Sequence, residues 1–403
     1  MTITRPERLT HATRRLLWTY GGSNVAGALA STFVNLFIFV VTGQLRALAI
    51  FNGTYFLSLT FVFYGVAWLF KRKTPLFAYQ WGLVLTTLFY VSLLALLTRA
   101  SAYIGWLGLF YGVAQGVFWF GVNLMTFDTV PAQQRIRFYG VSSAIGSVTG
   151  ILGPLAGGAV VSAIPGIIGY VVLFLLASIM YGLTLVLSLR VVAGPPLGRI
   201  PLTYSLVLPW RDALWSKAFN SLVIRGTREG ITGLAGVFLV YLATRQAWAV
   251  GVFGGVTALV RTGTSLWVPR WVTPERRVKA LWIGTFGMTL AALVLVIHTS
   301  WPFVFIYGIL TGFTMPWYMI PNAAIPLDVM DQDPNIGEHR VAYTLSREIG
   351  LNLGRLLSIA MLVAAYAVDS SPHILVWLLI GTSMIQGAVA ILAKHIWART
   401  VTS

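Results

Sequence analysis

The sequence predicts an all-α membrane protein: twelve transmembrane helices in two pseudo-symmetric six-helix bundles. Three observations predict it. Apolar residues make up 57% of the 403 and charged residues 10%. The apolar residues gather in runs of about 20, the length a helix needs to cross roughly 30 Å of hydrocarbon. Two stretches of the first half also recur in the second, which marks an internal repeat.

The first span, 17–42, follows the basic stretch Arg5, Arg8, Arg14 and Arg15. It is longer than a signal-peptide core and lacks a cleavage site, so it reads as a retained helix. Spans two to six fall at 46–70, 75–98, 102–126, 138–163 and 165–190, and residues 1–190 form the N-terminal bundle. A connection, 191–217, carries "AGPPLG" and then "LPWRDALW", a Pro/Gly break followed by a short segment lying at the membrane surface. It is the cytoplasmic linker between bundles. Spans seven to twelve fall at 218–243, 249–268, 278–298, 301–327, 341–367 and 371–396, within the C-terminal bundle, 218–403. The repeat supports this division. "FYGVAQGVFW" (110–119) matches "IYGILTGFTM" (306–315) in the fourth span of each half, and "SSAIGSVTG" (142–150) matches "SREIGLNLG" (346–354) in the fifth.

The net charge of +17 and the pI near 10.4 come from residues scattered through short connections, so no nucleic-acid partner is expected. With the N-terminus inside, the cytoplasmic turns hold Lys71, Arg72, Lys73, Arg270, Arg276, Arg277 and Lys279, while outside loops hold only Arg46, Arg99 and Arg245. The positive-inside rule therefore places both termini in the cytoplasm of a prokaryotic cell. The chain has no cysteine, its five histidines are isolated, and it contains no GxxxxGK[ST] loop. A metal, a cofactor, ATP-driven pumping and enzymatic catalysis are all unexpected.

Two similar six-helix halves with short basic turns describe an alternating-access transporter with its site near midplane. At these residues the chain resembles the major facilitator superfamily along essentially its full length. "GPLAGG" (153–158) is similar to the Gly-Pro-x-x-Gly-Gly core of a motif that the family's antiporters carry, with Thr149 where an upstream glycine is expected. The turn after span two keeps Gly65 and Lys71/Arg72/Lys73, but the family's usual aspartate is absent near Trp68. "STFVNLFIF" (31–39), "GTREG" (226–230) and "SREIGLNLGR" (346–355) resemble a poorly characterised bacterial branch, for which the resemblance implies no substrate. It does imply the major facilitator fold and a monomer.

Of eleven carboxylates, only Glu229 and Glu348 fall inside spans, joined there by Arg225, Arg228, Arg261, Arg347 and Arg355. Each costs at least ~2.5–3.5 kcal/mol at depth, so they should face protein or a watery cavity. Arg225 and Glu229, at i and i+4, are placed to pair. Glu348, Asn352 and Arg355 share one face of a helix, whereas Arg347 is turned about 100° away and should not face Glu348. The positive excess points to an anionic or amphipathic substrate held by Arg225, Arg228, Arg261, Arg347, Asn352 and Arg355. From the other half, Asn35, Gln115, Trp119 and Asn123 are the candidate ligand contacts. Glu229 and Glu348 are the candidate proton carriers, because burial raises a carboxyl pKa and a nearby Arg lowers it. The competing reading makes these groups permanent structural ion pairs.

Asp128, Arg135, Arg137, Asp328 and Arg340 sit at cytoplasmic ends and are the candidate gating residues. The function expected is a proton-coupled secondary transporter, with export favoured. A symporter, a lipid or glycolipid flippase, a polyspecific drug exporter and a non-transporting receptor or scaffold stand as alternatives.

Overall fold

The computed structural model describes residues 10–130, 134–194, 196, 202–369, 371 and 373–400. The N-terminal half comprises α1 (His11–Thr42), α2 (Leu45–Leu69), α3 (Pro75–Leu96), α4 (Ile104–Thr129), α5 (Arg135–Ala163) and α6 (Ile168–Ser188). After the short helix α7 (Leu202–Arg211) come α8 (Ala213–Thr244), α9 (Ala247–Trp267), α10 (Arg277–Ile297), α11 (Trp301–Met330) and α12 (Ile336–Val368). The last span is two pieces, α13 (His373–Ile385) and α14 (Gly387–Thr400). No strand occurs among the described residues. The fold is all-α and membrane-spanning, as the sequence predicts.

Local chemistry sets the helix ends. Thr10 caps α1 by accepting from Thr13 N, and Gly43 ends that helix at φ +66°, a left-handed position that favours glycine. Thr74 and Pro75 start α3 in the same way. Asp212 accepts from both Leu214 N (2.8 Å) and Trp215 N (3.1 Å), so span seven begins at Ala213. That corrects the expected linker, whose last residues belong to the bundle. The segment expected at the membrane surface, 208–215, is split, with 213–215 opening α8 and 208–211 closing the short helix α7. Helix α7 bridges the halves: Ser205 Oγ lies 2.8 Å from Tyr64 Oη of α2, while Leu208 packs into the cluster that holds Trp215 and Tyr343. The twelfth span breaks where Gln386 Nε2 donates to Ile224 O of α8 and Thr382 O, each at 2.9 Å.

The two halves repeat one packing scheme. Gly112 of α4 lies against Tyr55 O of α2, and Gly312 of α11 lies against Thr257 O of α9. Gly153 of α5 rests on Ala28 of α1, and Gly354 of α12 rests on Val223 O of α8. Between halves, α2 packs on α12 and α5 on α9. Seen along α1, the molecule has a Thr10 end and a Gly43 end. At the Gly43 end the halves close: a Cβ on Gly158 of α5 would stand 3.0 Å from Gly251 Cα of α9. Phe39 of α1 also meets Phe238 of α8 edge-on, ring centroids 4.7 Å apart. Toward the Thr10 end the space between α5 and α9 widens into a polar vestibule of about 420 Å³ lined by Ser142, Ser143, Ser147, Arg261 and Ser265.

Candidate functional site

Two chambers lie between the halves and meet at Glu229. The first, about 540 Å³, is walled by Tyr55, Phe56, Leu59 and Phe63 of α2 and by Trp119 and Asn123 of α4. Opposite them stand Arg225 and Glu229 of α8 and Arg347, Glu348, Leu351 and Arg355 of α12. An aromatic, uncharged N-terminal wall faces a charged C-terminal one.

The charges are organised around Glu229. Arg225 Nε donates to its Oε1 at 2.7 Å, the i, i+4 pair expected from helical spacing. From α12, Arg355 donates to Oε2 through Nη2 at 2.6 Å and Nε at 3.2 Å. Asn352 Oδ1 in turn accepts from Arg355 Nη1 at 2.8 Å, and the guanidinium lies over the Phe56 ring, 5.7 Å from its centroid. Both Glu229 oxygens are therefore taken. Asn352 itself is fully buried and does not line the chamber; its contact is with Arg355.

Arg347 Nη2 donates to Glu348 Oε1 at 2.9 Å. This corrects the expectation that these neighbours do not face each other: their Cα–Cβ directions diverge by about 100°, but a long arginine side chain curls across that gap.

Arg228, with 4% of its surface exposed, is turned toward the second chamber. Its Nε donates to Ser383 Oγ of α13 at 3.3 Å, and Nη2 has no partner. Arg261 is exposed on the wall shared by the second chamber and the vestibule. The five arginines thus divide, with three in the first chamber and two in the second.

The uncharged candidates divide as well. Trp119 and Asn123 line the first chamber, but Gln115, 9% exposed, turns to α3 and donates to Thr86 Oγ1 at 3.4 Å. Asn35 Oδ1 accepts from Asn52 Nδ2 at 2.9 Å, an interhelical tie between α1 and α2.

Among the gating candidates, the side chains of Asp128, Arg135 and Arg137 lie outside the described residues. Asp328 Oδ2 accepts from Arg277 Nη1 of α10 and Trp397 Nε1 of α14, both at 2.8 Å. Its ion pair is therefore made with Arg277, at the start of α10. Arg340 sits in the first turns of α12, where its carbonyl accepts from Thr344 Oγ1.

Sequence reasoning missed Thr257, Tyr307, Thr311 and Ser383. Each is an ordinary polar residue in an apolar span, and only the fold brings them beside Arg228.

No family model matches the chain. "Uncharacterized protein YqgE" of Bacillus subtilis (strain 168) is 27% identical over 344 residues, 85% of this chain and 80% of that protein. "Uncharacterized protein in sodM 3'region" of Geobacillus stearothermophilus is 31% identical over 161 residues, 40% of this chain and 75% of its own. The chain belongs to the family of that protein. Among solved structures, a variant of nucleoside transporter NupG superposes with a TM-score of 0.74 at 10% identity, covering 96% of this chain and 100% of that one. A POT family transporter in complex with 5-aminolevulinic acid gives 0.72 at 9% identity, with 96% of each chain covered. The E. coli fucose:proton symporter FucP gives 0.67 at 11% identity, over 95% and 98%. The fold of the chain is the major facilitator fold.

Proposed function

We propose that the protein is a proton-coupled secondary transporter that moves an anionic or amphipathic small molecule by alternating access. One observation carries this reading. Glu229 stands where the two chambers meet, its carboxylate shared between Arg225 and Arg355, in a space walled by both halves and closed at the Gly43 end.

The chemistry follows from charge balance. While Glu229 is ionised it occupies both guanidinium groups. Protonating it removes the charge that holds them, and Arg225 and Arg355 become available to an external anion. Conversely, an anion that takes those arginines raises the proton affinity of Glu229. Linkage is reciprocal, so proton and anion favour each other's binding. Co-binding of the two is the logic of symport, in place of the exchange anticipated for an exporter. A solved protein of this fold is itself named a fucose:proton symporter, so the architecture accommodates such coupling.

Glu348, paired with Arg347 on the wall of the same chamber, is the second candidate proton carrier. With the Thr10 end read as cytoplasmic, the structure is the inward-facing member of the cycle, and rocking of the halves would open the Gly43 seam.

Protein reconstituted into vesicles loaded with a pH-reporting dye tests this. Aryl carboxylates, phosphate monoesters and sulfonates are added outside, with protein-free vesicles as control. Transported anions should acidify the lumen, and Glu229→Gln should abolish the acidification. Anion entry that is indifferent both to a pH gradient and to Glu229→Gln overturns the proton-coupled reading. Headgroup-dependent movement of labelled phospholipid in the same vesicles would support a flippase instead.

A further inference from the structure

The second chamber, about 470 Å³, is built differently from the first. Among the described residues its only carboxylate is Glu229, and both oxygens of that group are already engaged by Arg225 and Arg355. Arg228 and Arg261 therefore enter it with no anionic partner. Arg261 makes no ion pair among the described residues.

Beside Arg228, three further buried polar atoms on the chamber wall lack a hydrogen-bond partner: Thr257 Oγ1, Tyr307 Oη and Thr311 Oγ1. Tyr307 Oη and Thr311 Oγ1 adjoin each other, yet neither meets a hydrogen bond of ordinary geometry. Together with Arg228 Nη2, four polar groups on α8, α9 and α11 are left unsatisfied in one place. Buried polar groups in native proteins are almost always paired, so such a cluster marks a missing partner. Three of the groups are hydroxyls that rotate to donate, and the fourth is a guanidinium, so the partner they suit is an acceptor carrying negative charge.

The rest of the chamber is mostly apolar, with Pro154 from α5 and Val237, Val250 and Phe253 facing the space beside Ser31, Thr32 and Thr232. The way in is polar. The vestibule shares Gly150, Ala258 and Arg261 with the chamber and presents Ser142, Ser143, Ser147 and Ser265 toward the Thr10 end.

We propose that this second chamber is a binding site for an amphipathic oxyanion. Arg228, Thr257, Tyr307 and Thr311 hold its carboxylate or phosphate, and Arg261 at the neck guides the charge inward from the vestibule. The apolar body lies along Phe253, Val237 and Pro154. The inference goes beyond the transport reading by adding a second anion site apart from Arg225 and Arg355, and it rests on that reading only for the ligand's being cargo. Its test measures binding alone, so it fails or stands separately from proton coupling.

The experiment is thermal unfolding of purified full-length protein in a non-ionic maltoside detergent, titrated with 4-phenylbutyrate, 4-phenylbutyl phosphate, 4-phenylbutanol and 4-phenylbutylamine. One or both anions should stabilise the protein, while the alcohol and the amine should not. The anion that stabilises distinguishes a carboxylate head from a phosphate one. Arg261→Gln, at an exposed position, and Tyr307→Phe, which removes one hydroxyl, should each weaken the apparent affinity about tenfold. Arg245→Gln, in a loop at the Gly43 end, should leave the shift intact. Arg228→Gln should abolish it; should that variant fail to fold, Arg261→Gln and Tyr307→Phe still decide the matter. The proposal is overturned if no anion stabilises, which would leave ordered water as the partner of the four groups, or if the alcohol stabilises as well as the anions. Loss of the shift in Arg347→Gln, with Arg261→Gln and Tyr307→Phe unaffected, also overturns it by placing the head in the first chamber.

Discussion

Glu229 illustrates how much depends on the company a side chain keeps. Its pairing with Arg225 is legible from spacing alone, whereas Arg355, more than a hundred residues further on, is not. With both oxygens committed, Glu229 ties α8 to α12 and engages two arginines at once. Outside the membrane, Asp333 makes a smaller arrangement of the same kind. Burial would raise its pKa, but the hydrogen bonds from His339 Nδ1, at 2.7 Å, and from Asn335 N outweigh burial and hold the carboxyl below its ordinary 3.8. A lowered carboxyl pKa stabilises the fold above the ordinary value, and that contribution is lost as pH falls through the lowered one. Asp333→Asn should therefore lower the melting temperature at neutral pH, and the gap to wild type should narrow as pH drops below 3.8. A gap that stays constant across that window would show that the pair contributes nothing through its charge.

At the scale of elements, small residues decide how closely helices approach. A Cβ on Gly354 would meet Val223 O, with Gly226 Cα at 2.8 Å and Thr227 N at 2.9 Å; all are backbone atoms of α8 and cannot swing aside. Gly354→Leu should destabilise by about 1–3 kcal/mol or more through overpacking, seen as a lower melting temperature, and it should also disturb the Arg355–Glu229 contact one residue away. Wild-type stability in that variant would mean that the α8–α12 seam is looser than its geometry. The sequence repeat "SREIGLNLG" points to this helix but not to the partner of its glycine. Likewise, the stripe of Gln115, Trp119 and Asn123 was legible as one face of α4. Only packing against α3 shows that Gln115 leaves that face for Thr86, while the other two reach the chamber.

For the whole molecule, the seam between α5 and α9 joins the two halves at the Gly43 end. Gly251 lies against Pro154 O, and a Cβ on Gly158 would approach Gly251 Cα to 3.0 Å, so a bulky side chain cannot be accommodated there with the end closed. Gly251→Trp should shift the population toward a form open at the Gly43 end. The absence of native cysteine makes this directly measurable. A single Ser31→Cys in the second chamber should react with a membrane-impermeant maleimide from the Thr10 side in the parent, and faster from the Gly43 side once Gly251→Trp is added. Labelling from the Gly43 side that does not change would show that this seam does not control access.

The sequence by itself determined the class of the protein, the order of its spans, the two-fold repeat and the identity of the charged groups buried in them. These follow from local rules: hydrocarbon thickness sets the length of apolar runs, and the cost of a charge at depth singles out Glu229, Glu348 and five arginines. Helical spacing carried one step further, to the Arg225–Glu229 pair. Only the tertiary structure decided how those charges are shared. It bound Arg355 to the same carboxylate, curled Arg347 onto its neighbour, gave Asp328 to Arg277, and left Arg228 and Arg261 without an anion beside three unsatisfied hydroxyls. Each of these outcomes depends on which helix lies opposite, and the register between helices distant in the chain is set by close packing of small residues, not by the periodicity of any one span.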